Sequence, residues 1–193
     1  KTLRAMPTAP HTEIPSNEFR IIICRRLWGD LPLAPRICRC GQSLDRRGNH
    51  RAACPSSGCL KTRGTPLEVA AARMCREAGG RVATNVYLRD MNVDGISARD
   101  RRNLEVVVNG LPLFRGAQIA VDTTLACPVN SRGRAQAGCA TRDGAWLAEA
   151  RRRKERTYPE LLGGSRCRLV VLALEVGGRW SDEAVDFVRT LAR

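Results

Sequence analysis

Cys38, Cys40, His50 and Cys54 fall in a Cys-x-Cys-Gly-x8-His-x3-Cys run. Four soft ligands within seventeen residues can close a tetrahedron around one Zn²⁺. The polar loop between them carries Gly41 and Gly48 near its ends, where the backbone must fold back. So short a module has almost no core, so the metal would supply its folding free energy. Small buried cysteines would give the same composition. The only other histidine, however, is His11, which makes His50 at this spacing the informative residue. Cys59 stands nearby as a substitute ligand.

A second set of residues suits phosphate chemistry. Glu105 in Leu-Glu-Val-Val-Val and Asp122 in Ile-Ala-Val-Asp-Thr-Thr interrupt apolar strands, where an ionised carboxylate is costly without a cation or hydrogen bonds. If the strands pair, two hard oxygen donors converge and suit Mg²⁺ or Mn²⁺. Thr124 shares a face with Asp122. Acids that point to solvent or pair with arginine are the plainer alternative, and Glu175, at a strand end, is expected in a structural salt bridge. Lys154 sits inside Arg151-Arg152-Arg153-Lys154, and helical spacing puts it on the same face as Tyr158. An ammonium there can orient water or stabilise phosphate charge. The same run also reads as a solvated helix face or a nuclear localisation signal. Glu68 is a candidate metal-site residue, although Thr65-Pro66-Leu67-Glu68 equally fits a reciprocal helix cap.

Thirty-three Lys and Arg against nineteen Asp and Glu give 193 residues a formal charge of +14 and a pI near 10.4. A polyanion is the natural partner, DNA first and RNA second. Arg101, Arg102, Arg151, Arg152 and Arg153 are the candidate backbone contacts. Only Lys1, Lys61 and Lys154 are lysines, so part of the arginine excess reflects coding bias. Aromatics make up 4% of the chain, which argues against extensive base stacking. An odd count of nine cysteines within apparent helices and strands suits a reducing, intracellular setting rather than a disulfide scaffold, and a nuclear location is expected alongside the basic run at 151–154. There is no signal peptide and no apolar run long enough to span a membrane, and a start at Lys1 suggests a piece of a longer protein.

The elements that must position these groups are legible by period and punctuation. Residues 16–29 read as an amphipathic helix capped by Ser16, with Phe19, Ile22, Ile23 and Leu27 on one face. Pro32 and Pro35 break the chain, and 55–64 reads as a linker. A helix capped by Thr65 runs to Ala78 and stops at Gly79-Gly80. Residues 81–88 alternate Val82, Thr84, Val86 and Leu88 on one side of a strand. Strands at 104–108 and 117–125 form a hairpin with Asn109-Gly110 as its turn signal. Residues 127–144 read as a mobile surface loop, 145–158 as a helix ended by Pro159, and 168–176 as a strand. A last helix begins at Ser181. The fold class is α/β, a mixed sheet flanked by helices. The divisions are a helical lead-in at 1–37, a zinc knuckle at 38–54 and the α/β domain at 65–193.

Taken in order, these parts resemble the restriction-enzyme-like endonuclease of early-branching non-LTR retrotransposons, a branch of the PD-(D/E)xK nucleases. The resemblance covers residue 14 to the C-terminus. It rests on the Cys38, Cys40, His50, Cys54 knuckle, Leu104-Glu105, Val121-Asp122-Thr123-Thr124, and Lys154 four residues before Tyr158. It implies a restriction-endonuclease-like core that nicks target DNA with Mg²⁺ or Mn²⁺ and acts with a fused reverse transcriptase, which extends the freed 3′ hydroxyl. It also implies a catalytic set of Glu105, Asp122, Lys154, Tyr158 and Glu68, with no small-molecule substrate. Two departures stand out: Glu105 lacks the family's preceding proline and replaces its aspartate, and Thr124 occupies the position of the standard lysine. A catalytically inactive, zinc-containing nucleic-acid-binding remnant is the alternative.

Overall fold

The computed structural model describes residues 13–32, 37–57, 59–91, 93–163 and 166–193. Three apolar runs set the centre of the fold: β2 (Asn103–Asn109), β3 (Gln118–Ala126) and β4 (Cys167–Glu175). With β1 (Arg81–Tyr87) they form one sheet in the order β1-β2-β3-β4, antiparallel except for the parallel β3–β4 pair. The inner strands are apolar on both sides because both faces are covered. One face packs Ile119, Val121, Val170 and Leu172 against Ala71, Ala72 and Cys75 of α3 (Cys59–Glu77) and Phe187 of α5 (Asp182–Leu191). The other packs Val107, Ala120, Val171 and Ala173 against Leu147 and Ala150 of α4 (Ala145–Thr157). The succession of helix, three strands, helix, strand and helix is therefore the one the sequence pattern suggests. Ser181 caps α5 by accepting the N–H of Ala184 at 3.2 Å.

Several local expectations are corrected. The helix expected to start at Thr65 begins at Cys59, so Pro66 lies inside it and Thr65 is not its N-cap. The expected linker is a 3₁₀ turn over Pro55–Ser57 followed by the first turns of α3, with Gly58 outside the described residues. Arg63 ties this part of α3 to the knuckle by donating to the Ala52 carbonyl at 2.8 Å, a long-range contact that overrides the local start signal. In α1 (Ser16–Arg26), Pro15 holds the N-cap position and Ser16 is already helical; no side chain of this helix is buried. The short helix α2 (Asn49–Ala53) carries His50 in the knuckle. The lead-in before residue 13, Pro35, and the side chain of Cys59 lie outside the description.

The one-sided alternation expected along β1 is also overturned. Asn85 adopts a left-handed φ of 54°, and the rung that would pair it with Glu105 is missing. Val82 consequently packs with the α3 side, while Val86 and Leu88 join the α4 side. The Asn109-Gly110 signal marks the end of β2, but the connection to β3 is longer than a tight turn and includes a 3₁₀ segment at Phe114–Gly116. The segment expected to be a mobile loop is instead pinned. A Val129–Ala135 bridge, an Asn130 N–H to Arg134 O bond and a Gln136 N–H to Pro128 O bond, both 2.8 Å, make it a small hairpin.

Among the described residues no helix is long and apolar enough to cross a membrane. The turn from α3 into β1 admits no side chain at Gly80. A Cβ there would lie 2.6 Å from Val108 Cγ1 and 2.8 Å from the Cys75 carbonyl. Gly80→Ala should therefore destabilise the chain by about 1–3 kcal/mol, read as a lower urea midpoint.

Candidate metal centre and acid–lysine site

β3 carries Asp122 into the interior on the side covered by α4, leaving it only 1% exposed. The β2–β3 register pairs Val106 with Val121, so the next rung sets Glu105 across from Asp122. Glu105 Oε2 accepts the Thr123 N–H at 2.6 Å and also the Thr123 hydroxyl. From α4, Lys154 Nζ reaches Asp122 Oδ1 at 2.7 Å. Asp122 Oδ2 has no hydrogen-bond partner, and neither has the buried hydroxyl of Thr124, two residues along the same strand. Burial raises the Asp122 carboxyl to about 6; Lys154 opposes the shift, while the charges of Glu105 and Glu68 add to it.

Tyr158 lies one turn beyond Lys154 and donates to the Asn103 carbonyl at 2.7 Å. Burial, and then the charges of Asp122 and Glu105, push its phenol well above the usual range. Glu68, Glu105, Asp122, Lys154 and Tyr158 thus share one electrostatic neighbourhood, contributed by α3, β2, β3 and α4. Glu68 is no longer tied to a helix start, because α3 begins nine residues before it.

The candidate phosphate-binding arginines divide into two groups. Arg101 is exposed and forms no ion pair among the described residues, and Arg153 lies over the Trp146 ring at 5.1 Å. Arg151 is paired with Glu155 and Glu183, and Arg152 with Glu149. Arg102 has a role that local sequence did not reveal. It holds Asp100 at 2.6 Å and Glu160 at 2.7 Å, and donates to the Thr157 carbonyl at the end of α4. Its side-chain hydrogen bonds hold the Asp100 and Glu160 carboxyls below the ordinary range. This clamp joins the start of β2 to the end of α4 and so fixes Glu105 relative to Lys154. No spacing rule links Arg102 to Glu160, 58 residues away. Glu175 pairs with Arg179 at 3.7 Å, the expected structural salt bridge.

In the knuckle, the ligand atoms of Cys38, Cys40, His50 and Cys54 lie within 4.8 Å of one another, so the set could hold a metal ion such as zinc. It is the only such group of Cys, His or acidic residues among the described residues. Cys40 Sγ approaches His50 Nε2 at 3.3 Å and Cys38 Sγ approaches Cys54 Sγ at 3.9 Å. The Cys40 backbone N–H draws the Cys38 thiol down to about 7, with further hydrogen bonds from His50, Cys40 and Cys54 opposing the cost of burial. Asp45 shapes the loop by accepting the N–H groups of Arg47 and Asn49 at 3.1 Å and of His50 at 2.6 Å. His50 Nδ1 faces the Ser131 carbonyl at 2.9 Å. Donation there places the proton on Nδ1 and leaves Nε2 as the ligand atom, the usual outer-shell support of a metal-binding histidine. Sequence reading missed Ser131, whose backbone carbonyl carries the contact whatever its side chain.

Two outcomes are expected. The purified chain should carry about one zinc per molecule by elemental analysis, and Cys54→Ser should lose that zinc with a fall in thermal stability. For Asp122, a carboxyl pKa raised on folding means the folded state binds the proton more tightly. Its contribution to stability is full below the unfolded pKa and declines as pH rises through about 6. Asp122→Asn should therefore gain stability over the parent in urea titrations as pH rises from about 5 to 7.

Neither the known protein families nor the curated proteins include a match to this chain.

Proposed function

We propose that the chain is a metal-dependent DNA endonuclease domain of the restriction-enzyme-like type found in non-LTR retrotransposons, nicking target DNA for an associated reverse transcriptase in the nucleus. The observation that carries the reading is Asp122: a buried carboxylate, ion-paired to Lys154, with one oxygen lacking any partner. Buried polar atoms are nearly always satisfied, so an orphaned oxygen beside an orphaned Thr124 hydroxyl suits a further polar or cationic ligand. Asp122 and Glu105 would hold Mg²⁺ or Mn²⁺ as a pair, with the charge of Glu68 on α3 adding to the negative field at Asp122. When bound, such an ion polarises the scissile phosphate and lowers the pKa of water.

The chain's own residues divide the remaining tasks. Above pH 6 Asp122 is mostly ionised and offers an anionic oxygen to the site. Lys154 neutralises part of that charge and sets an ammonium where negative charge builds on phosphate. Thr123 orients Glu105 through its backbone N–H and hydroxyl. Tyr158 remains a neutral phenol and anchors the end of α4 to β2. Arg101 and Arg153 are the exposed cations suited to the DNA backbone, while the knuckle supplies a zinc-stiffened basic surface.

A second reading, an inactive nucleic-acid-binding remnant, draws on the same neighbourhood. Thr123 already occupies one oxygen of Glu105, and Lys154 lies directly against Asp122. Supercoiled-plasmid nicking in Mg²⁺ or Mn²⁺ separates the two. The parent should nick in a metal-dependent way. Asp122→Ala should fall to background with zinc content and DNA binding retained, and Lys154→Ala should lose roughly a hundredfold in rate. Nicking should also weaken below about pH 6 as Asp122 takes up its proton. Undiminished nicking by Asp122→Ala would overturn the assignment; a folded, zinc-loaded parent that binds but never nicks would favour the remnant.

A further inference from the structure

A cleft of about 560 Å³ lies where the end of α1, the knuckle loop and the 128–144 segment meet the end of β4. Five arginines line it, Arg25, Arg26, Arg47, Arg142 and Arg179, against two acids, Asp143 and Glu175. Arg179 contacts both acids, at 2.9 Å and 3.7 Å, and the five arginines leave the lining with an excess of three positive charges over them. Arg26 and Arg142 have no ion pair among the described residues. Trp28 also lines the cleft, 63% exposed, with its backbone held at a left-handed φ of 55°. The Arg47 guanidinium lies over the indole at 5.6 Å. Arg25 holds the knuckle loop in place by donating to the Arg47 carbonyl at 2.9 Å.

An indole that is 63% exposed, with Arg47 over one face and unpaired guanidinium groups around it, matches an unstacked nucleobase on its other face and the neighbouring phosphates. A duplex keeps its bases stacked inside and cannot use the indole. We infer that this cleft binds single-stranded nucleic acid, with one base stacked on Trp28 and the adjoining phosphates held by Arg26 and Arg142.

The cleft stands at a useful distance from the acidic centre. Asp122 pairs with Val171, and four rungs further along the same two strands Ala126 pairs with Glu175, a cleft residue. At about 3.3 Å per residue the separation along the strand is roughly 13 Å, about two nucleotides of an extended single strand. Its use as a guide to the cutting site rests on the nuclease reading; its binding does not.

Fluorescence anisotropy with labelled oligo(dT), oligo(rU) and a matched duplex tests the cleft directly, on zinc-loaded protein without Mg²⁺ or Mn²⁺. Single strands should bind in preference to duplex, and the dT and rU arms tell whether the sugar matters. Trp28→Ala should weaken single-strand binding about tenfold, and Trp28→Phe should restore most of it. Arg142→Ala should reduce the salt slope by roughly 0.7. Single-strand binding unchanged in Trp28→Ala, or a preference for duplex that ignores Trp28, would overturn the inference. Asp122→Asn should bind as the parent does. If that variant also nicks normally, the nuclease reading falls while the cleft stands or falls on the Trp28 series alone.

Discussion

Placing Asp122 in the middle of a nearly inaccessible strand carries a solvation cost that its surroundings only partly return. Lys154 offsets some of it from α4 at 2.7 Å, which makes the position of that helix over the sheet an electrostatic matter as well as one of packing. The Arg102 clamp holds the end of α4 to the start of β2, and Tyr158 repeats that link through Asn103. The sheet, the helix and the clamp form one arrangement around a carboxylate that would be cheaper to bury as an asparagine or valine. Retaining a charge in such a place is how perturbed groups come to mark functional sites.

What could be read from the chain, and what could not, follows from the range of the forces involved. Apolar strands, the Ser181 cap and the order of elements are short-range features, and they emerge close to where periodicity puts them. The same holds for the Cys38, Cys40, His50 and Cys54 set, because ligand spacing within seventeen residues is nearly a geometric constraint by itself. The start of α3 was misplaced because a good local capping pattern at Thr65 gave way to a helix anchored through Arg63 to the knuckle. The Arg102 clamp could not be seen because, beyond its neighbour Asp100, its partners Glu160 and Thr157 lie more than fifty residues along the chain. Counting arginines as a single basic class also concealed the difference between those consumed by internal acids and those left exposed.

The knuckle is not a bead on a string. His50 reaches the Ser131 carbonyl, Arg63 reaches Ala52, and Asp45 orders the intervening loop. The segment from 127 to 144, which composition alone would leave loose, is therefore held from both sides: by its own bridge and by an imidazole of the candidate metal set. A metal bound there would stiffen one wall of the arginine-lined cleft through that imidazole.

The left-handed residue Asn85 has an effect beyond the turn it makes. β1 is an outer strand, and outer strands with unbroken hydrogen-bonding edges are templates on which another chain can continue a sheet. Here the edge is divided in two at Asn85, with side chains on either side of it turned toward opposite cores. Neither half offers a long flat edge to a partner strand, so the kink guards this four-stranded sheet against edge-to-edge association.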